Sequence, residues 1–178
     1  IREICSHMKT VNLISTYQGS TALEGISSVE KKFKTLKPHE IRNLHSFCDE
    51  MTSLGCTIND LDGFYVGYSI SQIGKEFDLL RFSDKCVINI ELKSELKVAN
   101  KSQKILDQMK INYYYLKFLG RPTQIFTVVE NDGCYEYMSS LNTLRKVPAS
   151  TIAHSIKSQA VDYSIDPDKE FIPSNYLV

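Results

Sequence analysis

The spacing of apolar residues predicts one helix near the start of the chain, followed by a group of strands. Apolar side chains recur at helical spacing through residues 38–53, which are therefore predicted as an amphipathic helix. From residue 63 onward, aromatic and β-branched residues dominate, and these favour extended chain. The pattern predicts an antiparallel meander of three strands, at residues 64–70, 76–82 and 86–93.

The second half of the chain repeats the order of a helix and then strands. Helical spacing returns over residues 103–119, and two further strands are predicted at residues 123–130 and 134–138. The stretch from 142 to 159 has room for one short helix, and the tail from residue 162 is predicted to be irregular. This order predicts an α/β fold in which helices flank a central mixed β-sheet that contains the antiparallel meander.

Length, cysteine content and hydropathy restrict the class of protein. A chain of 178 residues suits one domain, here placed at residues 9–160, with residues 1–8 as a tag or irregular segment. Residues 161–178 are predicted as an irregular tail or a linker to a following domain. The five cysteines form no metal-binding or disulfide pattern, which favours a reducing, cytoplasmic location. No apolar run reaches the length of a membrane span.

The charges balance overall but are unevenly distributed. The chain has 21 basic and 21 acidic residues, yet residues 93–121 contain seven basic side chains and only two acidic ones. Such a stretch suits a phosphate backbone, although a solvated helix face would have the same composition. Within this stretch, we predict that Lys97, Lys101 and Lys104 contact nucleic acid.

Three charged residues on the second and third strands of the meander are the candidates for chemistry. Glu91 and Lys93 are two residues apart, so their side chains share one face of a strand. If the hairpin loop has four residues, 83–86, Asp78 lies directly opposite Glu91; a loop of three residues would place Asp78 on the other face. The functional interpretation therefore requires the longer loop or an equivalent bulge.

Two neighbouring carboxylates repel each other unless a positive charge lies between them. Mg²⁺ or Mn²⁺ prefers carboxylate oxygens and would activate water for attack on a phosphate, with Lys93 orienting that water or offsetting transition-state charge. The alternative is an ordinary hairpin that carries Asp78, Glu91 and Lys93 as a surface ion-pair group. The apolar run before Glu91 favours the metal site, because an acid at the end of a buried strand is costly without a partner.

These residues, together with the helix that follows, resemble the PD-(D/E)XK nuclease superfamily. The resemblance covers about residues 38–138 and rests on Glu76-Phe77-Asp78, on Glu91-Leu92-Lys93 and on the helix that contains Gln108. It implies a restriction-endonuclease-like fold, with Asp78 and Glu91 as metal ligands and Lys93 assisting the attacking water. One departure is Phe77, which stands where the family motif has proline.

The resemblance also implies roles outside the motif itself. Gln108 and Tyr115 correspond to an auxiliary motif on the next helix that positions substrate or water, although core packing of the tyrosine is an equal alternative. An acid from the first helix is expected to join the metal ligands, with Glu40 preferred to Glu50.

The sequence thus predicts a Mg²⁺- or Mn²⁺-dependent nuclease acting on DNA, with RNA as the less favoured substrate. A fused or associated ATPase or helicase domain is a further expectation. The alternatives are a non-catalytic nucleic-acid-binding domain of the same fold and a protein-interaction module.

Overall fold

The computed structural model describes residues 8–15 and 36–176. Residues 1–7, most of the segment predicted as a tag, lie outside the described part of the chain. Among the described residues, no helix is both long enough and apolar enough to cross a membrane.

The helices and strands follow the predicted order. Four helices are named here in chain order: α1 (Pro38–Ser53), α2 (Lys101–Leu116), α3 (Ala149–Ser158) and α4 (Pro167–Glu170). Short 3-10 helices lie at Lys117–Leu119 and Pro173–Asn175. The six strands are β1 (Tyr65–Ser69), β2 (Glu76–Phe82), β3 (Val87–Lys93), β4 (Thr123–Val129), β5 (Gly133–Met138) and β6 (Thr143–Val147).

Among the described residues, β6 is the one strand that the sequence pattern did not predict. Its side chains are mostly exposed and only Val147 is buried, so the strand lacks the apolar alternation that marks a half-buried strand. It pairs with β5 at the edge of the sheet through backbone hydrogen bonds, which leave little trace in the residue pattern.

The six strands lie side by side in chain order, and only β3 and β4 are parallel. Helix α2 forms the crossover between these two strands, as parallel pairing requires. The predicted α/β fold, a mixed sheet with an antiparallel meander and flanking helices, is confirmed at this level. Because β3 and β4 run in the same direction, their carboxyl ends lie side by side, next to the first residues of β2.

Two apolar cores cover the two faces of the sheet. The first packs α1 and α3 on one face and includes Phe47, Ile90 and Ile152. The second packs α2 and the last residues of the chain on the other face and includes Met109 and Phe171. The segment after residue 160, expected from the sequence to be irregular, contains α4 and contributes buried side chains to the second core.

The β2–β3 hairpin has the four-residue loop that the functional interpretation requires. Phe82 pairs with Val87 and Leu80 with Asn89, which is the longer-loop register of the two that were considered. Ser83 stabilises the loop because its Oγ accepts hydrogen bonds from the backbone amides of Lys85 (3.2 Å) and Cys86 (3.0 Å).

We predict that Phe171→Ala destabilises the fold by about 3–5 kcal/mol, the usual effect of emptying a buried phenylalanine site. Phe171 is 2% exposed, and its ring stacks on those of Tyr68 and Phe77 at centroid distances of 5.5 and 5.7 Å. Ile172→Ala is the matched control, since Ile172 is 49% exposed and should change stability by less than about 0.5 kcal/mol. Urea unfolding of the three proteins measures the difference. Equal stability of the two variants would show that the segment after residue 160 does not belong to the folded unit.

Candidate active site

The predicted trio of Asp78, Glu91 and Lys93 lies near the carboxyl ends of strands β3 and β4. Lys93 is the last residue of β3 and pairs with Val129, the last residue of β4. Ligands of open α/β sheets bind outside the carboxyl ends of parallel strands, so this end of the strands is a physically favoured place for a site.

Asp78 lies at the point where the side chains of β1 and β2 stop alternating regularly between the two faces of the sheet. Val66 pairs with Leu79 and Tyr68 pairs with Phe77, yet the first pair packs in the first core and the second pair in the second core. Residues two apart in a strand normally share a face, so both strands rotate between these pairs. Gly67, with a φ of +66°, provides the left-handed backbone at this point.

Asp78 and Glu91 are joined by two reciprocal hydrogen bonds. The backbone amide of Asp78 donates to Oε2 of Glu91 at 2.8 Å, and the backbone amide of Leu92 donates to Oδ2 of Asp78 at 2.8 Å. Each carboxylate therefore binds the strand that carries the other one. The last backbone pair of the ladder is Leu79 with Ile90, and beyond it the two side chains continue the contact between β2 and β3.

Glu91 is a buried acid that accepts three hydrogen bonds. It is 2% exposed, and besides the Asp78 amide it accepts hydrogen bonds from the side-chain amides of Asn89 (3.2 Å) and Gln108 (3.3 Å). Burial, reinforced by the negative charge of Asp78, raises the pKa of Glu91 to about 7 despite these donors. Burial also raises the pKa of Asp78. Burial thus disfavours the charged form of both carboxyl groups.

Two buried asparagines fix the position of Glu91. Nδ2 of Asn112, on α2, donates to Oδ1 of Asn89 at 2.8 Å, and Nδ2 of Asn89 donates to the Leu79 carbonyl (3.1 Å) as well as to Glu91. Sequence reasoning missed Asn89. The signal was available, because an asparagine inside the apolar run of β3 has to find hydrogen-bond partners.

Lys93 and Glu40 line one open groove together with Asp78. This groove has a volume of about 310 Å³, and Gln108 also lines it. Glu40 does not lie free in it, since its Oε2 accepts a hydrogen bond from the backbone amide of Lys37 at 2.8 Å, at the start of α1. Glu50, the other acid considered on α1, lines a neighbouring cavity of about 250 Å³ that also reaches Lys93.

Lys75 is a charged neighbour of the carboxylates that sequence reasoning missed. Its Nζ donates to the Glu76 carbonyl at 2.9 Å and lies 4.8 Å from the centroid of the Phe77 ring. Burial lowers the pKa of Lys75, while the negative charges of Glu91 and Asp78 act in the opposite direction. Its place in the β1–β2 turn resembles an ordinary exposed lysine in the sequence, so no pattern distinguished it.

The residues predicted to contact nucleic acid differ from one another in their exposure and in their contacts. Lys97 is exposed and lies 3.9 Å from a carboxylate oxygen of Glu95, and Lys101 forms an ion pair with Asp132 at 3.2 Å. Lys104 is exposed on α2. Tyr115 packs on Tyr176, with a ring-centroid distance of 4.9 Å, which is the core-packing alternative considered for it. None of the contacts of Tyr115 brings it to Glu91.

The arrangement can accept a divalent cation through few protein ligands. In residues 8–15 and 36–176 there is no group of three or more His, Cys, Asp or Glu side chains arranged to hold a metal ion. Mg²⁺, however, usually binds one or two carboxylates and completes its coordination with water and substrate phosphates. Asp78, which lines the groove, and the adjoining buried Glu91 supply two carboxylates, and burial is the main cause of the raised pKa of each.

Comparison of this chain with protein-family models, with curated proteins and with solved structures gave no match. Its description therefore rests on the geometry of its own residues.

Proposed function

We propose that this protein is a metal-dependent nuclease that hydrolyses phosphodiester bonds of DNA, with a restriction-endonuclease-like fold of the PD-(D/E)XK type. The observation that carries the proposal is the pair of carboxylates, Asp78 and Glu91, each of which accepts a hydrogen bond from the strand of the other, with Asp78 and Lys93 lining the open groove. The order of a helix, three antiparallel strands, a crossover helix and a parallel strand is compatible with that fold.

In the proposed mechanism, Asp78 and Glu91 would hold the ion, and Gln108 keeps the Glu91 carboxylate oriented. When bound, Mg²⁺ or Mn²⁺ supplies Lewis acidity for a phosphate oxygen and for the attacking water. Lys93 donates a hydrogen bond to that water or to the phosphate oxygen on which charge develops. The lining of the groove includes the carboxylates of Glu40, Asp78 and Glu95, so a cation would also reduce its repulsion of a phosphate backbone.

The decisive experiment is a cleavage assay on double-stranded DNA, single-stranded DNA and RNA, each in Mg²⁺, Mn²⁺, Ca²⁺ or EDTA. We expect cleavage of DNA in Mg²⁺ or Mn²⁺ and none in EDTA. Asp78→Asn should remove activity because it removes a ligand charge. Asp84→Asn, in the loop at the opposite end of the same hairpin, is the matched control and should cut like the parent. Equal activity of both variants would disprove the metal site.

The non-catalytic alternative is favoured by one specific observation. Both oxygens of Glu91 already accept hydrogen bonds, which would allow the buried acid to serve a structural role. A protein that binds DNA with a steep salt dependence but cuts no substrate in any of the four conditions would establish that alternative. An associated ATPase or helicase domain stays a prediction that neither result tests.

A further inference from the structure

One face of α2 and of the turn after it exposes a row of apolar and aromatic side chains. Ile111, Tyr114 and Phe118 are 52%, 36% and 42% exposed. Their spacing of three and then four residues places them on one stripe of the helix. We call this stripe the α2 outer row.

The α2 outer row lies at the rim of the second core and stays partly exposed. The neighbouring tyrosines on either side pack inward, with the Tyr113 ring 5.5 Å from that of Tyr137 and the Tyr115 ring 4.9 Å from that of Tyr176. Tyr114 lies between them along the chain and stays accessible. One side of the Tyr114 and Phe118 rings faces Tyr176, at centroid distances of 6.2 and 5.3 Å, and the exposed part of each ring is available for a ligand.

Lysines accompany the α2 outer row. Lys104 and Lys117 are exposed and Lys110 is partly exposed. Nζ of Lys117 lies 5.1 Å from the centroid of the Tyr114 ring and 5.4 Å from that of Phe118. Among the residues that the structure describes, none of these three lysines forms an ion pair. Their charge is therefore available to an external anion.

We propose that the α2 outer row and its three lysines bind single-stranded nucleic acid. Aromatic rings that stack on bases, combined with ammonium groups that contact phosphates, are what binding of single strands without sequence preference requires. A purely apolar protein partner would leave the lysines without compensation, so charge complementarity favours a polyanion. The row ends ten residues beyond Gln108, which corresponds to roughly 15 Å along the helix.

This inference rests on the proposed function only in taking nucleic acid as the ligand, and it can be tested without cleavage. Fluorescence anisotropy with labelled oligo-dT in EDTA measures binding by the parent and by the double variant Tyr114→Ser/Phe118→Ser. We expect roughly ten-fold weaker binding or more, the effect of losing one or two base–aromatic stacks. Ile58→Ser is the control, because Ile58 is also exposed (45%) but lies outside this face.

The contribution of the three lysines is measured separately, through the salt dependence of binding. Changing Lys104, Lys110 and Lys117 to glutamine should reduce the slope of log K against log salt by about 2, since each phosphate contact to a single strand contributes about 0.7. Loss of affinity in both variants, with the control unchanged, supports the inference even if the protein cuts nothing, a result that would reject only the nuclease proposal.

Two outcomes would overturn the inference. One is oligo-dT binding that neither variant weakens, whether or not the parent cleaves DNA. The other is no oligo-dT binding by the parent, together with self-association in sedimentation that Tyr114→Ser/Phe118→Ser abolishes. The second outcome would identify the α2 outer row as a contact between protein copies.

Discussion

Replacing Glu91 by glutamine is expected to abolish metal-dependent cleavage and, in the absence of metal, to stabilise the fold above neutral pH. Glutamine can keep the hydrogen bonds from the Asp78 amide and from Asn89, and rotation of the Gln108 amide can provide an acceptor for the new NH₂ group. The substitution thus removes a buried charge while it conserves shape and most contacts.

The direction of the stability effect follows from the raised pKa of Glu91. A carboxyl whose pKa is higher in the folded state favours folding fully below its ordinary value of 4.5, and that contribution disappears as the pH rises through about 7. The interval from 4.5 to about 7 corresponds to on the order of 3 kcal/mol. Glu91→Gln should therefore match the parent near about pH 4 and become more stable by about 2–3 kcal/mol near about pH 8.

Denaturant unfolding of parent and variant in EDTA at several pH values measures this difference directly. The subtraction removes the contributions of titrating groups that do not interact with Glu91, such as Asp132, whose pKa is lowered mainly by its hydrogen bond with Tyr135. Glu95→Gln is the control, because Glu95 is exposed just after β3 and should show no such trend. If the stability difference does not change with pH, Glu91 is not a buried titrating acid in solution.

When metal is added, the parent should become more stable than Glu91→Gln. A cation that binds only the folded protein stabilises it in proportion to its concentration over its Kd, so Mn²⁺ should raise the Tm of the parent and not that of Glu91→Gln. Because binding requires deprotonated carboxylates, the effect on the parent should grow as the pH rises through about 7. A Tm increase that Glu91→Gln keeps would place the metal elsewhere.

The sequence was sufficient to predict the parts of the fold that depend on local signals. Helix α1 and strand β2 have the predicted bounds, since apolar spacing and the flanking turn residues mark both. The sequence left two loop lengths open for the β2–β3 hairpin, and the hydrogen bonds of Ser83 stabilise the longer loop that the structure has. These features depend on residues that are close in the chain.

Features that depend on distant contacts escaped the sequence pattern. The rotation of β1 and β2 at Gly67 sends Asp78 toward the Leu92 amide, and no local periodicity reports such an interruption. Lys75 joins the carboxylates only because the β1–β2 turn lies beside β3 in the folded sheet. The predicted trio is therefore one part of a larger charged group that tertiary structure assembles.

The second large effect is expected from Lys93→Met, which should lower kcat by about 10²–10³ and change KM little. This is the usual result of removing one donor aimed at charge that develops in the transition state. Methionine retains most of the apolar stem of lysine, so the groove beside Leu92 should keep its shape. Asp78 and Glu91 are unchanged, and the variant should still show the Mn²⁺-dependent increase in Tm.

The combination of lost turnover and retained metal response distinguishes Lys93 from a structural residue. Lys85→Met, in the loop at the far end of the same hairpin, removes an exposed lysine and should leave kcat unchanged. Lys93→Arg should restore only part of the activity, because a planar guanidinium does not place its donors where the ammonium group does. Steady-state cleavage of a DNA substrate under saturating Mg²⁺ measures all three variants. If Lys93→Met cuts as fast as the parent, the lysine takes no part in the reaction, and the positive charge nearest the carboxylates to test next is Lys75.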